Sequence, residues 1–161
     1  MKRILFFASV AVFSIFLGSQ ITEAVLLVPY WKTLPLTDFY AYHDEFGPIV
    51  GRFYTVLTII ASLIAIGVCI YSYRNKSQGL KYAITSLFLM LLVIGSFYVY
   101  FKGANQSFYD AQHTAQELAQ ALNIWGIVHC SRVFVEILVL IFLIPALNML
   151  TVESLKKRQE T

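Results

Sequence analysis

Charge is scarce in this chain, and so are the residues that punctuate soluble folds. Of 161 residues, 12 are Lys or Arg and 9 are Asp or Glu, with only 4 Pro, 8 Gly and 2 Cys. Two cysteines are too few for a disulfide framework. No Gly-rich phosphate loop, serine nucleophile elbow or basic stripe occurs, so nucleotide binding, hydrolase chemistry and nucleic-acid recognition have no residues to carry them. The long apolar stretches also lack a polar residue every three or four positions, the mark of a soluble amphipathic helix.

What is present is hydrophobicity, at 58% of residues. Uncharged runs cover 4–22, 53–73, 82–101 and 137–152, the last reaching upstream through a mixed segment from 124. A hydrocarbon core of roughly 30 Å needs about 20 helical residues at about 1.5 Å each. The expectation is therefore all-α: one integral membrane domain, 1–161, a four-transmembrane-helix bundle with spans at about 4–29, 49–73, 80–101 and 124–150. Met1-Lys2-Arg3 before an apolar run resembles a signal peptide, with Thr22-Glu23-Ala24 as a cleavage site. The run resumes at Ala24 and stops only at Pro29, too long for an h-region, so an uncleaved first span is expected.

Basic residues sort by loop. Lys2 and Arg3, then Arg74, Lys76 and Lys81, then Lys156, Lys157 and Arg158 fall on one side. The other two loops hold Lys32 and Lys102 with Asp38, Asp44, Glu45, Asp110 and Glu117. The positive-inside rule then puts both termini in the cytoplasm, in a cell (inner) membrane, with the acidic loops outward. The turn at 74–79 joins spans two and three as a hairpin, and the two longer loops are expected to cap the outer face. A short interfacial helix is expected around 40–46, and 103–123 reads as helical, with no internal repeat. Cys69 and Cys130 map to opposite halves of their spans, beyond disulfide range. The lack of Cys-x-x-Cys argues against a thiol oxidoreductase of the vitamin K epoxide reductase kind.

Polar residues inside the spans gather near the outer ends. Gln20 and Glu23 share a face of span one; Arg52 opens span two above Thr55, Thr58 and Ser62. Trp125, His129, Arg132 and Glu136, spaced four, three and four, share a face of span four. Each has a structural reading. Arg52 could snorkel, Arg132 and Glu136 could neutralise each other, Trp125 could anchor at the interface, and the hydroxyl stripe could be packing surface. Their common depth instead suggests one cavity lined by Gln20, Glu23, Arg52, Thr55, Trp125, His129, Arg132 and Glu136. In it His129, Arg132 and Glu23 are the candidate catalytic groups, and Glu23 is expected near Arg52 or Arg132. His43, His113 and His129 are candidate metal ligands, with Asp110 and Glu117 beside His113, but the pattern matches no zinc signature.

Trp125-x-x-x-His129-x-x-Arg132 leading into a long apolar helix, together with Val28-Pro29-Tyr30-Trp31 at the end of the first, resembles the DUF1772 family of small four-helix membrane proteins, which includes the anthrone oxygenases. The resemblance implies an oxidoreductase that oxidises hydrophobic aromatic or polyketide-like small molecules with molecular oxygen, matching Trp125, His129 and Arg132. In that scheme His129 is the general base, Arg132 or Arg52 stabilises the enolate, and no cofactor is required. The alternative is a non-catalytic membrane protein that binds a lipid, haem, quinone or metal, or an accessory subunit of a membrane complex.

Overall fold

The computed structural model describes residues 2–159, which are helical nearly throughout. The order is α1 (Lys2–Thr22), a π-turn (Glu23–Leu27), α2 (Val28–Trp31), α3 (Leu36–Arg74), α4 (Leu80–Ser96), a second π-turn (Phe97–Phe101), α5 (Lys102–Tyr109) and α6 (Ala115–Gln159). Four helical stretches are long and apolar enough to cross a membrane: Phe6–Trp31, Leu36–Arg74, Leu80–Tyr109 and Ala115–Lys156. The chain is an all-α bundle that fits an integral membrane protein. Although the sequence shows no repeat, the element order does: helix, π-turn, short helix, long helix, twice over.

The first π-turn has a local cause. Pro29 has no amide hydrogen, so the helix cannot keep its regular ladder, and the Val28 amide bonds the Glu23 carbonyl five residues back. The Lys102 amide bonds the Phe97 carbonyl in the same way, without a proline to explain it.

Two boundaries differ from the sequence reading. The segment at 40–46 is not a separate interfacial helix but the start of α3, which runs 39 residues through Pro48. Proline removes one i to i−4 bond, and here the exposed surface around Asp44 tolerates that loss. The stretch 103–123 is likewise broken, at 110–114, where Ala111 takes a positive φ of 49°. A capping box then starts α6: the Thr114 amide donates to Glu117 Oε2 at 2.8 Å, and the Glu117 amide to Thr114 Oγ1 at 3.4 Å.

α6 is the central helix and packs against α1, α3 and α4. One apolar cluster, with Phe13, Phe16, Met90, Val139 and Leu143, fills the half nearer the α3–α4 turn. A second, built on Trp31, Phe39, Phe101, Phe108, Leu122 and Trp125, fills the other half, which we call the tryptophan end. Close approach sets the spacing at the turn. A Cβ on Gly79 would lie 3.0 Å from Met149 Cβ and 3.1 Å from the Ala146 carbonyl oxygen, and Ser86 Oγ donates to the Val139 carbonyl at 3.1 Å.

The charge asymmetry predicts an orientation, and exposed residues at each end allow its measurement. A cysteine replacing Gln106 at the tryptophan end should react with a membrane-impermeant maleimide on intact cells, and one replacing Gln78 in the α3–α4 turn should not. The reverse pattern would turn the bundle over.

Candidate functional site

Where α1 and α6 face each other, four polar side chains meet inside the bundle. Gln20, His129 and Glu136 are 0% exposed and Glu23 is 6% exposed. Arg132 holds the group together. Its Nε donates to Glu136 Oε1 at 3.0 Å, within α6, and its Nη2 donates across to Gln20 Oε1 at 2.7 Å on α1. The guanidinium also sits 5.3 Å from the Phe101 ring centroid, over its face. Charged side chains in a spanning helix cost about 2.5–3.5 kcal/mol at its centre, which explains why Arg132 engages a carboxylate, an amide and a ring together.

His129 stacks on Trp125, with centroids 4.9 Å apart and planes 24° apart. Its Nε2 lies 3.0 Å from the Gln20 carbonyl oxygen and 3.6 Å from Glu23 Oε2. A carbonyl only accepts, so Nε2 carries the hydrogen. Gln20 Nε2, His129 Nδ1 and Glu136 Oε2 are buried without a hydrogen-bond partner. The cluster is therefore more polar than its own contacts satisfy, a costly arrangement in an apolar surround.

Beside this cluster runs a cavity of about 420 Å³. One wall is α3, through Gly47, Gly51, Thr55, Thr58 and Ser62; the opposite wall is α4 with the second π-turn and α5. Glu23, Trp125 and Arg132 close its inner side. Glu23 and Arg132 are the only charged residues of the lining, and the carboxylate of Glu23 accepts no hydrogen bond among the described residues. Both π-turns contribute, Glu23 from the first and Phe97, Tyr98 and Phe101 from the second, in keeping with the tendency of π-turns to sit at functional sites. Close packing shapes the outer part: a Cβ on Gly47 would come within 2.8 Å of the Tyr109 ring.

The expected site residues divide into three groups. Glu23, Arg132, Trp125, Thr55 and His43 line the cavity. Gln20, His129 and Glu136 form the layer behind it, and the Nε2 and Nδ1 of His129 point at a backbone carbonyl and into packed interior. His129 is not among the residues that line the cavity, and it stands behind Glu23 in this arrangement. Glu23 lines the cavity together with Arg132, the expected cationic neighbour, and has His129 within ion-pair distance, while Arg52 is not beside it.

Arg52 lies outside. It is exposed, with Nε donating to the Pro48 carbonyl at 3.3 Å. The reason is angular: the cavity face of α3 passes through Gly51 and Thr55, and the next residue after Gly51 is turned by a third of a helical turn. Thr55, Thr58 and Ser62 hydroxyls donate to the carbonyls of Gly51, Tyr54 and Thr58, so they present a small, mostly apolar surface.

The histidines do not converge. His43 packs among Phe39, Trp31 and Phe108, His113 Nε2 lies 2.9 Å from Ser107 Oγ, and Glu117 serves the α6 cap. Among the described residues, no three His, Cys, Asp or Glu side chains form a metal-binding group. Asp110 bonds Gln106 and Gln112 rather than a histidine. Cys69 and Cys130 are free thiols.

Sequence reasoning missed Asn105, Tyr54 and Phe101. Asn105 Oδ1 accepts from Trp125 Nε1 at 2.9 Å, and the Tyr54 hydroxyl donates to the Ser19 carbonyl at 3.3 Å, tying α3 to α1. No pattern in the sequence singles them out, since each acts through a residue more than 19 positions away. Searches against protein-family models, curated proteins and solved structures return no match.

Removing one member of the buried ion pair has a predictable cost. Glu136→Leu removes the one carboxylate that Arg132 is hydrogen-bonded to and leaves it Gln20, Phe101 and the unbonded Glu23 nearby, and should lower unfolding stability in detergent by about 1–3 kcal/mol, the usual penalty for leaving a buried donor unsatisfied. A change under 1 kcal/mol would mean that Arg132 finds another anion or water.

Proposed function

We propose that the protein is an integral membrane oxidoreductase, an oxygenase of a hydrophobic aromatic or polyketide-like small molecule, with its tryptophan end outward in the cell membrane. The observation that carries this reading is the meeting of Glu23 and Arg132 at the inner side of an otherwise apolar and aromatic cavity. A carboxylate with no hydrogen bond of its own is a base for an acidic C–H, and a guanidinium beside the same space stabilises the enolate oxygen that develops. Low polarity around both groups strengthens that attraction. Trp125 and Phe101 line the cavity beside them with aromatic surface, and His129 holds Glu23 from behind as a positioning residue.

The oxidation follows from the resemblance to the anthrone oxygenases. The carbanion formed at a ring CH₂ transfers its electrons to molecular oxygen. One oxygen atom becomes the new carbonyl and the other leaves as water with the two hydrogens of the CH₂. The chain supplies positioning, deprotonation and shielding from water in this scheme.

One observation favours a second reading. Arg132 already has a carboxylate, an amide and a ring as partners, which is what a purely bracing cluster would show. In that case the cavity binds a lipid, haem or quinone without turning it over, or the protein is an accessory subunit of a membrane complex.

Anaerobic exchange of an anthrone's acidic C–H with D₂O, followed by NMR on the reconstituted protein, separates the two. Glu23→Gln should slow exchange by about 10²–10⁴-fold, the range for loss of a general base. His129→Gln can still donate to the Gln20 carbonyl and should cost less than about tenfold, a modest positioning effect. Exchange that survives Glu23→Gln but is lost in His129→Gln would restore His129 as the base, and absence of exchange in the unaltered protein would favour the binding reading.

A further inference from the structure

The cavity does not end at Glu23 and Arg132. Its α3 wall continues through Thr58 to Ser62, and from Gly51 to Ser62 is about 16 Å of helix at 1.5 Å per residue. The hydrogen bond from Tyr54 to the Ser19 carbonyl fixes the register of α3 against α1. Glu23 lies one turn beyond Ser19 toward the tryptophan end, so the charged pair sits partway along the cavity, which continues above it past Gly47 and His43 and descends below it as a slot along α3.

Near its lower end the slot is open sideways. Ile59, Leu63 and Tyr98 line the cavity and are nevertheless 53%, 62% and 67% exposed. Ser62 is 12 residues from Arg74 at the end of α3, about 18 Å along the helix, so this opening lies well inside the apolar part of the bundle. A side opening at that depth faces lipid chains rather than water. The hydroxyls on the α3 wall are already bonded to their own helix, so an apolar chain lying there meets no unsatisfied donor.

The polar end is equally restrictive. Two carboxyl groups, Glu23 and Glu136, accompany one guanidinium whose Nε and Nη2 are already engaged, so a phosphate or carboxylate head would meet a carboxyl beside the single cation. An ionised carboxylate only accepts hydrogen bonds and a guanidinium only donates them. A group that satisfies both carries a donor and an acceptor and no charge, as a phenol or an enolisable hydroxyketone does.

We propose that the cavity takes a neutral, hydroxyl-bearing amphiphile, whose polar end sits between Glu23 and Arg132 and whose apolar tail lies along α3 in the slot that opens to the bilayer near Leu63. The proposal deepens the preceding one and rests on its reading of Glu23 and Arg132 as ligand-facing groups. It makes the tail a determinant of selectivity and the bilayer the reservoir from which the ligand comes.

The two tryptophans of the chain, Trp31 and Trp125, both line the cavity, so intrinsic fluorescence reports on its occupancy. Three probes suffice in nanodiscs of uncharged phospholipid, with concentrations expressed per lipid: 4-dodecylphenol, 4-methylphenol and dodecanoic acid. The dodecylphenol should bind at least tenfold more tightly than either of the others. Ser62→Leu, which fills the slot far from the charged pair, should abolish that tail advantage and leave 4-methylphenol binding unchanged, while Glu23→Gln should weaken both phenols at least tenfold. Should Ser62→Leu lose both phenols, Ile94→Phe, which fills the slot from the opposite wall, repeats the test in a different helix. The proposal is overturned if both plugged variants keep the tail advantage, if both lose the phenols without distinction, if the acid binds as well as the phenol, or if no probe binds. Tight phenol binding with no C–H exchange by the protein would leave this inference standing and remove the enzymatic one. Exchange indifferent to both plugs would do the reverse.

Discussion

Arg132 cannot be placed in an apolar helix bundle without an organised surround, and most of the tryptophan end follows from that constraint. Its guanidinium has donors in two directions, and each is met on a different element: Glu136 one turn along α6, and the Gln20 side chain on α1. Those bonds fix the rotation of α6 against α1. With that rotation set, the Gln20 carbonyl falls opposite His129, and His129 falls between Trp125 and Glu23. A buried ion pair is weak support for stability, because desolvation offsets much of the attraction. Its specificity is the stronger contribution, since the Nη2 hydrogen bond to Gln20 is met only with α1 set against this face of α6.

The cavity is the complement of that arrangement. The two π-turns divert the chain after α1 and after α4 at the level of the polar cluster, one bringing Glu23 inward and the other placing Phe101 against Trp125 and Arg132. Across from them α3 presents glycine, threonine and serine, whose small side chains leave space where leucine would fill it. The three hydroxyls are neutralised by their own helix, so the space is wide without being polar. Charge is confined to one wall, and that segregation makes the pocket suited to an amphiphile.

Much of the architecture was legible in the sequence because the membrane imposes a coarse rule: about 20 apolar residues per span and charges in between. The spacing of Trp125, His129, Arg132 and Glu136 on α6 was likewise enough to place them on one helical face, and Gln20 and Glu23 as a pair followed from the same periodicity. Depth and helical face, however, do not say which side chains are in front. Arg52 has the depth of the cluster, yet it stands one residue past the cavity face of α3. His129 has the right neighbours, but its ring lies behind Glu23. The π-turns also lay beyond reach, because a single missing amide at Pro29 shifts the register of the residues around it, and nothing in the run of aromatics from Phe97 announces the second one. Glu117 misled for a different reason: Thr114-x-x-Glu117 is a helix start, and the spacing to His113 that suggested a ligand set is incidental to it.

The central claim is that the cluster of Gln20, Arg132 and Glu136 is retained to build a binding surface rather than to hold the bundle together. Replacing all three at once by apolar residues of similar volume, as Gln20→Leu, Arg132→Met and Glu136→Leu, tests it most directly, because both members of the hydrogen-bonded ion pair are removed together and Glu23 keeps His129 beside it. Unfolding in detergent and 4-dodecylphenol binding in nanodiscs would be measured on the same preparation. The account predicts a variant at least as stable as the original chain that no longer binds the phenol. A variant that unfolds, or one that stays folded and binds undiminished, would contradict it.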